Sequence, residues 1–504
     1  MTNQLRRLQL HIRTRMESQR GAVMILMAVG LITLMGMAVF AVDYGWIAYN
    51  RLEARKAAES AALAGVVYMP LSGTATLAPG EPAYDTALDI AGRAGYTGGT
   101  GTSVVPAETA SPNQLRVTVT DQIDTFFMRA FRPSPITISG TAVAEQLPPL
   151  KLGSDDAQLG GNGGADQLWV AINGEARRKQ DGDPFSTRCG YTSCSGSPNV
   201  GSGDLEQFRD PAYYYAVDIP EGQTGAIVVG IYDGTHLPRS AVDVDTGDRA
   251  GETSFLMTFE LYAPDSTPNN WQDNSAASAP VCSQTFYYDG QGGRAAGFGV
   301  NTWVNLSGCP TATSGIYVLE VSVDGNEDAI SAFAIRASVG GTSNVAVYGL
   351  GAMSLWMNKD NSAPVFKIVR VDEIYAGTEL QLGLYDPGDA TGLSHLLFRG
   401  ALAGIDCTVR VTDQNGNVGA WTSDGALNPD GNWAGGSCGL TTATNSTSQI
   451  YNGDWLEIRF QIPPGHTCSG AACWALVDYN FADSPNDRTT WTAQVNGTPI
   501  HLEP

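Results

Sequence analysis

Between Ala22 and Val42 the chain runs AVMILMAVGLITLMGMAVFAV, 21 residues without a charge and with Thr33 as the one clearly polar side chain. At about 1.5 Å per residue, such a helix matches the roughly 30 Å hydrocarbon core of a bilayer, so the pattern predicts one membrane crossing. Gly30 and Gly36 are tolerated there because no water competes for the backbone. The helical pattern then continues through residues 47–67, IAYNRLEARKAAESAALAGVV, with no proline before Pro70. Ala54, Ala58, Ala61, Ala62 and Gly65 recur at spacings of three or four, which lets another helix or a sheet approach closely. That stripe reads either as a subunit contact or as one side of a plain amphipathic stalk.

Past Pro70 the period changes. EPAYDTALDIAGRAG, residues 81–95, predicts a short helix, and QLRVTVT (114–120) and ITISGTAVAE (136–145) predict strands. Leu115, Val117 and Val119 alternate with Arg116, Thr118 and Thr120, one face for a core and one for water. Residues 71–146 thus read as a small α+β module. Gln146-Leu147-Pro148-Pro149 and the glycine-rich stretch from Leu159 mark a linker over residues 147–164.

Everything beyond is strand-like, with turns every 8 to 15 residues. An internal repeat runs through it. LWVAINGE from Leu168 echoes SLWMNKDN from Ser354, and YYYAVDIPEGQTGAIVVGIYDGT from Tyr213 echoes VFKIVRVDEIYAGTELQLGLYDPGD from Val365, aligning Tyr232-Asp233 with Tyr385-Asp386. SGCPTATSGIYVLEVSV from Ser307 is set against SCGLTTATNSTSQIYNGDWLEIRF from Ser437, and SAFAIRAS from Ser331 against TTWTAQVN from Thr489. The expected fold class is mainly β: an N-terminal transmembrane helix with a small α+β module, then two tandem antiparallel β-sandwich domains, jelly-roll-like, at 165–345 and 346–504.

Charge refines the topology. The first 20 residues carry Arg6, Arg7, Arg13, Arg15 and Arg20 against Glu17, a formal +4, so the remainder of a chain with net charge −22 carries −26. The basic tail, residues 1–20, is expected to stay cytoplasmic, with Asp43 at the exit of the span and Tyr44 and Trp46 as interfacial aromatics. The C-terminal domains then lie outside the cell. A cleaved signal peptide is the rival reading, with Val39 and Ala41 as small residues before the cut. The apolar run is longer than a usual signal core and passes without a break into more helix. A chain of 504 residues that is 43% hydrophobic, with only five lysines, is too apolar for disorder and offers no phosphate-binding surface, so no nucleic acid partner is expected.

Eight cysteines, all between Cys189 and Cys473, point to an oxidising compartment for the C-terminal two-thirds. Pairing in chain order gives Cys189–Cys194, Cys282–Cys309, Cys407–Cys438 and Cys468–Cys473, among 105 formal connectivities. The repeat alignment places Cys282 and Cys309 at the positions of Cys407 and Cys438. Zinc held by the two C-x4-C pairs is the alternative, and it requires reduced thiolates.

One stretch resembles a known family. Arg20-Gly21-Ala22-Val23, the apolar span, Asp43-Tyr44-Gly45 and the Ala-rich helix ending near Gly65 are similar to the TadE/TadG-like segment of Flp (Tad) pilus-assembly proteins, nearest the TadG-related kind. The close match covers about residues 15–70. A looser one touches residues 115–119, Thr125-Phe126-Phe127-Met128-Arg129 and residues 136–145. The resemblance implies a membrane-anchored envelope protein, with Tad pilus machinery or a second copy as partner of the Ala-rich helix in the 21–70 segment. Leu26 stands where a processed pilin carries Glu, five residues after the glycine, so retention as an anchor is the expectation. The β-domains are also distantly similar to the pre-peptidase C-terminal class.

Little catalytic chemistry stands out. No HExxH, paired-histidine cluster or phosphate loop occurs, and Gly435-Gly436-Ser437-Cys438-Gly439 matches G-x-S-x-G in a β-rich context beside a bridge cysteine. Asp181 and Asp183 in DGDP read as a capped turn. Structural calcium is weighed at Asp386, Asp389, Asp413, Asn415 and Asn417, with ordinary turns as the simpler reading; no other cofactor is expected. Tyr213, Tyr214, Tyr215, Trp169, Trp356 and Trp474 could build a sugar platform for an envelope glycan or could be core. The expectation is a non-enzymatic, single-pass cell-envelope protein, with a carbohydrate-binding adhesin and an extracellular hydrolase as alternatives.

Overall fold

The structure is a computed structural model that describes residues 2–71, 75–130, 133–161, 168–174, 177, 179–185, 212–233, 255–288, 302–324, 330–358, 365–387, 394–413, 416–423, 438–445, 448–451, 453–480 and 486–503, with the backbone alone described for residues 2–22 and for a few residues at the ends of later elements. Two helices shape its beginning, α1 (Thr2–Gly65) and α2 (Pro82–Arg93). The strands begin with β1 (Ser103–Glu108), β2 (Gln114–Ile123), β3 (Ile136–Gln146) and β4 (Gln158–Leu159). Next come β5 (Leu168–Asn173), β6 (Ala212–Ile219), β7 (Ile227–Asp233), β8 (Phe255–Tyr262), β9 (Cys282–Tyr288), β10 (Trp303–Asn305), β11 (Gly315–Asp324), β12 (Ile330–Val339) and β13 (Ala346–Leu350). The last group is β14 (Ala352–Asn358), β15 (Val365–Arg370), β16 (Glu379–Tyr385), β17 (Ser394–Gly400), β18 (Cys407–Thr412), β19 (Thr422–Ser423), β20 (Gly439–Asn445), β21 (Ser448–Gln449), β22 (Trp455–Gln461), β23 (Trp474–Asn480), β24 (Asn486–Asn496) and β25 (Ile500–Leu502).

The chain forms two compact units: Met1–Met69 with Thr76–Glu145 and Ile500–Pro504, and Pro70–Ala75 with Gln146–Pro499. The first holds α1, α2 and an antiparallel sheet in the order β1-β2-β3-β25. Helix α2 starts with Pro at its first turn, carries Asp85 early and Arg93 late, as a helix dipole favours, and buries Ala83, Ala87 and Ala91. In β2, Leu115, Val117 and Val119 are buried and Arg116 is exposed, so the alternation read from sequence is the one that folds.

The second unit is built of antiparallel sheets. In its first half β10-β7-β12-β5 face β13-β6-β11-β8-β9, and in its second half β14-β24-β16-β22 face β15-β23-β17-β20. Numbered within each half, the shared strands run 1-8-3-6 in one sheet and 2-7-4-5 in the other, which is jelly-roll order. Edge-to-face rings across the sandwich, Phe259 on β8 with Phe333 on β12 and Phe398 on β17 with Trp491 on β24, show that the two sheets share one core.

Three features depart from the sequence reading. First, the two repeats are not separate sheets, because β5 pairs antiparallel with its own counterpart β14, and Trp169 sits opposite Trp356. The repeat-aligned tryptophans therefore meet at a local two-fold, and one sheet runs through both halves. Residues 346–350, assigned by the repeat to the second domain, form β13 and pair with β6 in the first half. Second, residues 147–161 are a packed strap and no loose linker. Leu147, Leu150, Leu152 and Leu159 are buried, Leu152 N–H donates to Gly349 O at 3.1 Å, and Arg370 N–H donates to Lys151 O at 2.9 Å. Asp155 adds ion pairs to Lys367 (2.9 Å) and Arg370 (3.1 Å). The four buried leucines outweigh the proline pair because each buries apolar area, whereas Pro-Pro only restricts the backbone. Third, the alignment of β11 with β22 fails: β11 lies between β6 and β8, while β22 lies between β16 and β18. The counterpart of β11 is β23, between β15 and β17.

The bridges follow the same correction. Cys282–Cys309, Cys407–Cys438 and Cys468–Cys473 are formed, while Cys189 and Cys194 lie outside the described residues. Cys282 opens β9 beside β8, and Cys438 lies beside β17, the counterpart of β8. Thus Cys282 corresponds to Cys438, the reverse of the linear alignment. The added hairpin β18-β19 puts Cys407 on the larger sheet, where Cys309 stands in the first half. Each of these two bridges ties one face of its sandwich to the other, contributing about 2 to 4 kcal/mol by restricting the unfolded chain.

Candidate functional site at the end of the apolar helix

Helix α1 runs unbroken through the apolar stretch and the Ala-rich stretch, and it is long and apolar enough to cross a membrane. From Val23 to Val42 its large side chains are exposed, Met24 at 74% and Leu26 at 72%. Thr33 satisfies its own hydroxyl by donating to Val29 O at 2.9 Å, which is the pairing a polar group would need in an apolar surrounding. Ala22 falls among the residues whose side chains are not described.

The next residue reverses the pattern. Asp43 is fully buried although it follows directly on exposed Val42. Its Oδ1 accepts the backbone N–H of Phe126 at 2.8 Å, its Oδ2 accepts those of Phe127 at 3.0 Å and Met128 at 2.6 Å. A carboxylate taking three backbone donors at the start of a single 3-10 turn, Met128–Ala130, acts as a cap delivered from a distant helix. Trp46 continues the contact with its ring 5.4 Å from Phe126 and 6.0 Å from Tyr49, while Tyr44 is exposed. Sequence reading placed Asp43 at the exit of the span and noted Thr125-Phe126-Phe127-Met128-Arg129 separately. It did not join them, since more than 80 residues intervene.

Further along α1, Ala54, Ala57, Ala58, Ala61 and Ala62 are buried on α2 and β2. A Cβ on Gly140 of β3 would collide with the backbone of Ala54 and Arg55, and one on Gly65 with Leu115 and the carbonyl of Ala83. The small-residue stripe is therefore spent on this chain's own helix and sheet. That corrects the expectation of self-association through the Ala-rich helix: the face is already covered.

The other candidate residues make the following contacts where described. Asp413 Oδ1 accepts Asn417 N–H and its Oδ2 accepts Asn417 Nδ2, both at 2.8 Å, closing a turn; Asn415 lies outside the described residues. Asp386 is buried at φ +56° and accepts Gly453 N–H at 2.7 Å; Asp389 lies outside the described residues. Asp183 is a buried cap that accepts Asn173 N–H, Phe185 N–H and Tyr213 O–H at 3.0, 3.0 and 2.8 Å, and burial raises its pKa. Ser437 lies outside the described residues, but Cys438 is bridged and strand β20 follows it, so the strand-to-helix turn of a nucleophile elbow is missing. Trp169, Trp356, Trp474, Tyr213 and Tyr215 are buried in the core, and Tyr214 is half-buried with its ring 5.1 Å from that of Trp271. Cys468 and Cys473 are bonded to each other and cannot hold zinc as thiolates.

One cluster was not read from sequence. His501 Nε2 stands 3.7 Å from Glu145 and 3.3 Å from Glu503, where β25 lies along β3. Burial raises the pKa of Glu145, with Gln114 donating to it at 3.0 Å. Glu145 is more than 350 residues from His501 and Glu503, beyond the reach of local spacing.

Comparison with known proteins bears on the first of these regions. A search of curated proteins finds no match. Among solved structures, the infectious bursal disease virus VP2 subviral particle aligns at 12% identity over 71% of this chain and 80% of that one, with a TM-score of 0.13. The Faustovirus major capsid protein aligns at 8% identity over 80% of this chain and 79% of that one, with a TM-score of 0.12. Superpositions at that level carry no argument. Residues 21–67, which hold the apolar run, Asp43 and the packed small-residue stripe, match the family described as "Putative Flp pilus-assembly TadE/G-like".

Proposed function

We propose that the protein is a membrane-anchored component of the cell envelope related to Flp/Tad pilus assembly, with residues 1–20 in the cytoplasm and the β-sandwiches outside. It works by contact and not by catalysis. The observation that carries this reading is the single helix α1, whose exposed apolar half precedes Asp43 and whose small-residue half packs into a folded module, within a segment matched to the TadE/G-like family. The bridged β-sandwiches suit an oxidising compartment. Contact with pilus machinery then falls to surfaces other than the small-residue stripe. Of the six aromatics named for the adhesin reading, five are core and Tyr214 is half-buried against Trp271, so that reading draws little support from them.

Two measurements on the full chain in its native membrane test this. Alkaline carbonate extraction is expected to leave it in the pellet, and protease added to right-side-out vesicles is expected to remove the β-sandwiches while sparing an amino-terminal tag. Release by carbonate would remove the anchor, and loss of the tag with protected sandwiches would invert the topology.

A further inference from the structure

We infer that Phe126 and Phe127 form a second membrane contact, inserting into the lipid interface beside the point where α1 leaves the bilayer. The inference rests on the reading of residues 22–42 as a bilayer span. Its geometry comes from Asp43. The three N–H groups of Phe126, Phe127 and Met128 that bind this carboxylate hold the loop at the helical turn directly after Val42. One turn is about 5.4 Å, and the interfacial layer on each side of the hydrocarbon is of similar thickness, so the loop lies at headgroup level. At that level two adjacent phenylalanines are left exposed, Phe126 at 62% and Phe127 at 45%, beside exposed Tyr44. Trp46, in ring contact with Phe126, completes an aromatic group drawn from two distant parts of the chain. Interfacial aromatics of this kind face headgroups and upper acyl chains. Arg129 follows with a side chain 65% exposed and 3.8 Å from Asp124, placed to reach lipid phosphate on its apolar stem. The buried carboxylate fits the same environment, because backbone donors supply the partners that water would otherwise provide. The loop continues the apolar surface of the span sideways, and the occupant is lipid.

The test uses the full chain in vesicles of phosphatidylethanolamine and phosphatidylglycerol at about one copy per vesicle, nitroxide-labelled at one introduced cysteine. The variants are Phe126→Cys, Phe127→Cys, Leu34→Cys as the anchor reference and Arg116→Cys as the water reference, with the labelled parent chain setting the background. Collision with a water-soluble nickel chelate and with oxygen reads the depth. At positions 126 and 127 the chelate collision rate is expected to fall several-fold below that at 116, with oxygen preferred, at a depth shallower than 34. A lipid-embedded label at 34 with chelate access at 126 and 127 equal to that at 116 overturns this inference alone. A water-exposed label at 34 overturns the anchor reading and this inference with it. Protection that appears only when copies are crowded in the vesicle assigns the loop to a protein contact and overturns the lipid assignment. The double variant Phe126→Ser with Phe127→Ser, labelled at Tyr44→Cys, gives a reading without a label in the loop: the chelate collision rate at 44 is expected to rise at least two-fold, and no change overturns the contact.

Discussion

One helix is used in two opposite ways. Over residues 23–42 α1 presents Met, Leu, Ile, Val and Phe outward, while over residues 54–65 it presents Ala and Gly inward against β2, β3 and α2. The contrast shows how side-chain size sorts a helix between solvents. Large apolar groups maximise area and suit a liquid hydrocarbon that conforms to them. Small groups minimise separation and suit a rigid partner whose backbone comes close. Asp43 marks the change, for it is the first position after the span whose side chain is held by the protein.

The comparison can be broken most severely at the closest approach. Gly140→Val places methyl groups against the backbone of Ala54 and Arg55 and is expected to destabilise the first unit by more than about 3 kcal/mol, read as a lower urea midpoint of the detergent-solubilised chain. Gly30→Val, where nothing lies near the added atoms, is expected to be neutral in the same measurement. Next in size is Leu34→Arg in the exposed half. It costs about 3 kcal/mol of insertion free energy and leaves the packed half intact, so the carbonate-resistant fraction falls while the urea midpoint holds. Asp43→Ala acts at the boundary. Loss of the acceptor for three backbone N–H groups is expected to cost about 2 kcal/mol and to raise hydrogen exchange at Phe126, Phe127 and Met128. The smallest effect concerns the sheet edge behind the packed half. Burial raises the pKa of Glu145, so the folded first unit binds a proton more tightly than the unfolded chain does. Stability from this group falls as pH rises from the ordinary carboxyl range through the raised folded value. Glu145→Gln is expected to flatten that slope between mildly acidic and neutral pH, read as the melting temperature against pH.

Local pattern carried the α1 reading and the α+β module because both are periodic over short windows. The alternation Leu115, Val117, Val119 needs only neighbouring residues to state which face is inside. The strap over residues 147–161 was less legible, since its prolines and glycines are local signals while the burial of Leu152 depends on Gly349 and Val369 far along the chain. The repeat located strands β5, β6, β7 and β12 against β14, β15, β16 and β24, and then misplaced β11. Insertion of the β18-β19 hairpin shifts the second half relative to the first, and similar strands such as GIYVLEVSV and DWLEIRF match by composition whichever sheet they join. Pairing Cys407 with Cys438 followed from proximity, but which of them corresponds to Cys282 required the sheets.

Composition and periodicity thus sufficed for the apolar span, the Ala-rich helix that continues it and the mainly β character, because each rests on interactions within a short stretch or on residue chemistry, while chain order named the three described bridges as one pairing among many. Tertiary structure decided the fusion of the two sandwiches through Trp169 and Trp356, the strap, the Glu145–His501–Glu503 cluster and the capture of residues 126–128 by Asp43. Those contacts join parts of the chain tens to hundreds of residues apart, and no local propensity records a partner that only the closed fold brings within hydrogen-bond reach.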